Sequence, residues 1–233
     1  MSRAQLVVAL DVPTVDEAKA LASKVRASAD LFKVGLELFV DAGPRAVTEV
    51  REAGGRPIFL DLKLHDIPET VERAVARACG LGAAWLTVHA SGGPRMLSRA
   101  VERAAKEGSG LSIVAVTVLT SLDAGDLRAV GIPATPEAHA LELARMAWAA
   151  GVRAFVCSPA EVARLREALG PDALLVTPGV RPAGSALGDQ KRVDTPEGAV
   201  ARGASAVVVG RPIRDASDPA AAAAEIARAL RAS

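Results

Sequence analysis

Short, almost wholly apolar runs recur along the chain, each followed by a stretch in which apolar positions return every three or four residues. The first pattern reads as strands buried on both faces and the second as helices packed on one side. Strands are expected at 5–11, 30–35, 57–63, 84–89, 111–119, 153–157, 173–177 and 205–209. A helix capped by Thr14, with Asp16 and Glu17 in its first turn, follows the first strand. Further helical pattern covers 37–53, interrupted near Gly43-Pro44, then 68–79, 94–106, 123–130, 136–150, 159–169, 195–201 and 219–232. Strands that alternate with helices in this number and over this length predict a (β/α)8 barrel, a TIM barrel of the α/β class. An open doubly wound sheet is the alternative. The strand count and the lack of a Gly-x-Gly-x-x-Gly turn after the first strand argue against it. No shift in composition divides the chain, so residues 1–233 are expected to form one barrel domain.

Half of the residues are hydrophobic, yet only Phe32, Phe39, Phe59, Phe155, Trp85 and Trp148 are aromatic and there is no Tyr. The core must therefore be mainly aliphatic. A net charge of +1 with both signs interspersed gives no footprint for nucleic acid. Cys79 and Cys157 lie far apart without metal or redox spacing, and no signal segment or membrane-spanning run is visible, so a cytoplasmic protein with no membrane partner is expected.

The chemistry concentrates in residues 59–70. In the strand at 57–63, Ile58, Leu60, Leu62 and Leu64 alternate with Phe59, Asp61, Lys63 and His65, so one face is aliphatic and the other carries charge. Asp66 follows the strand and can turn back towards Asp61 and Lys63, while Pro68 suits a helix start. Acid–lysine pairs are usually solvated surface, but a strand whose other face is buried points its charges at something enclosed. In a barrel the strand C-termini form the active face. That places Asp11, Lys33, Asp61, Lys63, His89, Thr120 and Arg211 around one mouth. His89 is expected to be hydrogen-bonded near the site and His139 to sit on a helix surface; the scattered His65, His89 and His139 do not form a metal set. Gly210-Arg211 ends a strand and starts a helix, a natural anion site, and the long loop at 178–192 reads as a clamp over a phosphate, with disorder as its rival reading.

Val-Ala-Leu-Asp at 8–11, Phe-Lys-Val-Gly at 32–35, Asp-Leu-Lys-Leu-His-Asp-Ile-Pro at 61–68 and Thr-Val-His-Ala at 87–90 resemble the orotidine 5′-phosphate decarboxylase family, of the bacterial type. So do Leu-Thr-Ser at 119–121, Thr-Pro-Gly-Val-Arg-Pro at 177–182, Gly-Asp-Gln-Lys-Arg at 188–192 and Val-Gly-Arg-Pro-Ile at 209–213. The resemblance implies cofactor-free and metal-free decarboxylation of orotidine 5′-phosphate to UMP, in pyrimidine biosynthesis. By position it makes Lys63 the proton donor to C6, places Asp61 by the substrate carboxylate, and gives Lys33 and Asp11 the ribose hydroxyls and the charge array. Thr120 would bind the pyrimidine, and Gln190, Arg211 and the Gly210 backbone the phosphate, with Arg181 assisting. Asp66 and Thr70 would reach into the site of a partner in a homodimer. A tyrosine contact to the phosphate, found in some relatives, is impossible here. Two rivals remain: a magnesium-dependent sugar-phosphate decarboxylase or aldolase, which needs a Glu where Lys33 stands, and a barrel that only binds a phosphorylated metabolite.

Overall fold

The apolar runs close into one parallel barrel in which every strand pairs with its neighbours in chain order, β1 to β8 and back to β1. The structure, a computed structural model, describes residues 3–181 and 194–232. The chain runs through β1 (Gln5–Ala9), α1 (Val15–Val25), β2 (Leu31–Val34), α2 (Leu36–Ala42), α3 (Pro44–Gly54), β3 (Ile58–Leu64) and α4 (Pro68–Gly80). It continues with β4 (Trp85–His89), a 3-10 turn (Ala90–Gly92), α5 (Pro94–Glu107), β5 (Ser112–Val116), α6 (Ala124–Ala129) and α7 (Pro136–Ala149). Then come β6 (Ala154–Val156), α8 (Val162–Leu169), β7 (Leu174–Thr177), α9 (Pro196–Ala201), β8 (Ala206–Val209), α10 (Arg211–Arg214) and α11 (Pro219–Ala232).

The helix starts follow the sequence signals. Thr14, Thr135 and Thr195 accept backbone N–H bonds from the first turns of α1, α7 and α9. Proline opens α3, α4, α5, α7, α9 and α11, where its missing N–H goes unnoticed. Two expectations need trimming. The fifth strand, expected at 111–119, ends at Val116, after which Val118, Leu119 and Thr120 fold over the barrel mouth. The helix expected at 159–169 starts at Val162, because residues 158–161 form a turn. There the Ser158 N–H donates to the buried Glu161 carboxylate at 2.8 Å and the Glu161 N–H to the Ser158 carbonyl at 3.0 Å.

Period-two alternation sorts the strand residues into two apolar layers. Inside the barrel, Val7, Phe59, Val114 and Val176 come from odd strands, and Leu31, Trp85, Ala154 and Ala206 from even ones. Phe59 and Trp85 meet edge to face with centroids 5.4 Å apart. Between barrel and helices lie Leu6, Val8, Phe32, Val34, Ile58, Leu60, Phe155 and Leu175, with the inner faces of the helices. The layer is aliphatic apart from the buried Phe32 and Phe155, so the few aromatics are spent at the core. Gly54 lets α3 lie directly on Phe32, since a Cβ there would come within 2.1 Å of the ring.

The N-terminal end of the barrel is tied by one side chain. Arg166 of α8 donates to the carbonyls of Gly170 (2.9 Å), Pro171 (3.0 Å), Ala173 (2.7 Å) and Gly203 (2.8 Å), and to Ser205 Oγ (2.9 Å). Ser205 Oγ in turn accepts from the Leu175 N–H at 3.1 Å. The approaches to β7 and β8 are thereby joined to α8.

Candidate active site

Counting by twos from the inner layer leads out of the barrel at its C-terminal end. Val7 is followed by Ala9 and Asp11, Leu31 by Lys33, Phe59 by Asp61 and Lys63, Val114 by Val116 and Val118, Val208 by Gly210. All of these but the deeper Val7, Leu31 and Val114 line, with Thr120, Pro178–Arg181 and Arg211, a cavity of about 490 Å³. At the C-terminal ends of β1, β2 and β3 the inward pattern turns from apolar to charged, as the fold requires of an active face.

One wall is a line of alternating charge. Lys33 Nζ lies 2.7 Å from Asp11 Oδ1 and 3.6 Å from Asp61 Oδ2, and Lys63 Nζ lies 2.9 Å from both Asp61 oxygens. Asp61 and Lys33 are each only 9% exposed. Burial alone would raise the Asp61 pKa, but the Lys33 and Lys63 charges and the bonds from Lys63 and Thr87 hold it below the usual value. For Lys33, burial pushes the pKa down, and the Asp11 and Asp61 carboxylates more than reverse this. Both groups are therefore ionised at neutral pH. Gly35 makes room for the line: a Cβ there would stand 2.9 Å from Asp11 Oδ1 and 3.0 Å from Lys33 Nζ.

Lys63 reaches this position through an unusual backbone. Its φ is +51°, the left-handed region, and it is the one non-glycine residue with positive φ among the described residues. Such a conformation costs about 1–2 kcal/mol in an L-residue. The strand alternation expected for Asp61 and Lys63 holds in direction, but the second step passes through a left-handed residue inside β3 rather than regular extended chain.

The segments after β7 and β8 add cationic side chains to the same cavity. Arg181, expected to assist with the phosphate from the long loop, is buried and lines the cavity, and its backbone N–H donates to the Asp194 carbonyl at 2.9 Å. Arg211 opens α10 directly after Gly210. Arg214, absent from the sequence reading, also lines the cavity, but it is engaged with the Asp11 carbonyl at 2.7 Å and with the Asp215 carboxylate.

Residues 4–226 match the profile described as "Orotidine 5'-phosphate decarboxylase / HUMPS family". This chain belongs to that family. A protein of Anaeromyxobacter sp. (strain K) named orotidine 5′-phosphate decarboxylase is 56% identical over 226 residues, covering 97% of this chain and 98% of that protein. One of the same name from Thermobifida fusca (strain YX) is 52% identical over 227 residues, covering 97% of this chain and 96% of that protein. The crystal structure of orotidine 5′-phosphate decarboxylase from Lactobacillus acidophilus superposes with a TM-score of 0.84 at 37% identity, covering 98% of this chain and 99% of that one.

Of the residues that the resemblance to the decarboxylase family singled out, Asp11, Lys33, Asp61, Lys63, Thr120, Arg181, Gly210 and Arg211 share the cavity. Gln190 lies outside the described residues. Asp66 does not turn back to Lys63 within its own chain: it is exposed, accepts the Ile67 N–H at 2.6 Å, and lines no part of the cavity. The reason is local: its carboxylate is held by the backbone N–H that follows it instead of by the Lys63 ammonium. Thr70, on α4, is exposed as well. His89 faces His65, with ring centroids 5.4 Å apart, and stands beside the cavity rather than in its lining. His139 is half-buried on α7.

Proposed function

We propose that this chain converts orotidine 5′-phosphate to UMP without a cofactor, in the cavity at the barrel mouth. The observation that carries the reading is that the Asp11–Lys33–Asp61–Lys63 line shares one cavity with Arg181 and Arg211. A substrate with a phosphate at one end and a carboxylate-bearing ring at the other meets complementary charge at both. Arg181, Arg211, the Gly210 backbone and Gln190 take the phosphate in this reading. Asp11 and Lys33 take the ribose hydroxyls, and Thr120 the pyrimidine.

Loss of carbon dioxide breaks the bond to C6 and leaves its electron pair on that carbon. The Lys63 ammonium, fixed by both Asp61 oxygens, stabilises the developing negative charge and then gives C6 a proton, which it recovers from solvent. Asp61 faces the departing carboxylate. Distant phosphate contacts supply binding energy that orients the ring. The metal-dependent rival is opposed by Lys33, whose ammonium sits between two carboxylates at 2.7 and 3.6 Å, the place a divalent cation would need.

The active unit of this proposal is a cytoplasmic homodimer of one-domain barrels, in which Asp66 and Thr70 complete the partner's site. Support comes from their exposure and from the uncovered side chains of the adjacent Ile67, 66% exposed, and of Leu36 and Val40 on α2. The buried free thiols of Cys79 and Cys157 suit a reducing compartment.

Purified protein should deplete the orotate absorbance of orotidine 5′-phosphate at an undiminished rate in EDTA. Activity on a sugar phosphate that requires magnesium, with none on orotidine 5′-phosphate, would overturn the proposal. So would binding of the nucleotide without turnover.

Gly35→Ala offers a test of the charge line. Its φ of −93° suits any residue, so the fold should melt within a few degrees of wild type. The added methyl group displaces the Asp11–Lys33 pair. kcat/KM should fall by about 10- to 100-fold, given the sensitivity of catalysis to misplacement by an ångström. A wild-type kcat/KM in steady-state assays would show that the pair is not used.

A further inference from the structure

β3 and β4 fall out of step beside the charge line. Leu60 pairs with Leu86 and Leu64 with Val88, so β3 passes Asp61, Leu62 and Lys63 while β4 passes Thr87 alone. A strand ladder cannot serve the surplus residues. The Lys63 N–H is satisfied by a side chain instead, donating to Thr87 Oγ1 at 2.8 Å. The same hydroxyl lies 3.0 Å from Asp61 Oδ1. Thr87 is completely buried, so water does not compete for either contact. A hydroxyl carries one proton. With the backbone N–H directed at its oxygen, that proton goes to the Asp61 carboxylate.

We propose that Thr87 is a positioning residue for the decarboxylation: its hydroxyl pins the left-handed turn at Lys63 and the Asp61 carboxylate to one point on β4, and so fixes the ammonium against the carboxylate. Thr87 is not part of the cavity lining and acts only through these two neighbours. Neither composition nor spacing marks it, because a threonine in an apolar strand reads as a valine-shaped core residue. The inference rests on the decarboxylase reading for its kinetic consequence, and on geometry alone for the contact itself.

Thr87→Val keeps the shape and removes the hydroxyl. Its kcat should fall by about 10- to 100-fold, with KM changed by less than about threefold because the phosphate and ribose contacts are untouched. Thr87→Ser should recover kcat to within a few-fold of wild type, whereas Thr87→Ala should not. The Ser and Ala pair carries the same comparison if the Val variant does not fold. A second readout needs no turnover: the Asp61 carboxyl followed by 13C NMR as pH is varied. Asp61 is faced by Lys63 on its own strand, by Lys33 on β2 with Asp11 beyond it, and by Thr87 and His89 on β4. Losing one bond to the ionised form should move its midpoint upward in Thr87→Val. Wild-type kcat in Thr87→Val, equal loss in the Ser and Ala variants, or an unmoved Asp61 midpoint would each overturn the proposal. Failure of the wild-type protein to act on orotidine 5′-phosphate would instead sink the functional reading, and the NMR titration would still decide the role of Thr87.

Discussion

Lys63→Ala should lower turnover of orotidine 5′-phosphate by about 10⁴-fold or more, because the change removes an electrostatic stabiliser and a proton donor together. Among the described residues only Lys63 touches both oxygens of Asp61, and Lys33, 3.6 Å from that carboxylate, is already committed to Asp11. No second ammonium among the described residues stands ready to replace it. A companion substitution separates chemistry from backbone. Lys63→Gly should be as inactive as Lys63→Ala but more stable by about 1 kcal/mol, since glycine adopts a φ of +51° without strain. Spectrophotometric turnover and urea unfolding measure the two quantities. Residual activity within tenfold of wild type in either variant would remove Lys63 from the centre of the mechanism.

Arg166→Ala should cost about 2–4 kcal/mol of stability although it lies far from the cavity. The guanidinium holds the carbonyls of Gly170, Pro171, Ala173 and Gly203 together with Ser205 Oγ, and no carboxylate shares it among the described residues. Removing it takes the guanidinium donor from all four carbonyls, of which Ala173 alone, among the described residues, keeps the Ser205 hydroxyl at 3.4 Å, and cuts the link between α8 and the starts of β7 and β8. Arg166→Lys should recover only a minority of the loss, because an ammonium lacks the planar fork that reaches both connections. Chemical denaturation reads the effect. Turnover per folded molecule should be unchanged, since the clamp lies at the other end of the barrel. An Arg166→Ala protein as stable as wild type would mean that water serves these carbonyls equally well.

The barrel was legible because its two periodicities are clean: inward and outward strand residues separate by parity, and Thr14, Thr135, Thr195 and the prolines mark helix starts. The ends of β4, β7 and β8 match the pattern, while β1 and β5 stop two and three residues before it does, since residues such as Asp11 and Val118 continue the inward parity after the ladder has stopped. The charged cluster stood out because Asp61 and Lys63 interrupt an aliphatic strand. Its partners were harder. Asp66 looked close in sequence, but proximity along the chain does not fix which way a carboxylate turns once the strand is over. Thr87 and Arg214 were passed over for opposite reasons, one for looking apolar and the other for looking like ordinary surface. The surplus residues of β3 were invisible, because a shift in pairing belongs to two strands and cannot be read in one of them.

That shift bears on any attempt to move this chemistry to another scaffold. A regular parallel barrel with Asp and Lys written two residues apart would carry both side chains in the right order, yet would present the lysine on straight backbone. The spacing between the two charged groups is set by how many residues one strand uses against its neighbour. A transplanted site would therefore need the length mismatch and the facing hydroxyl copied with it, and a barrel recast with evenly matched strands would be expected to carry the same letters and do little with them.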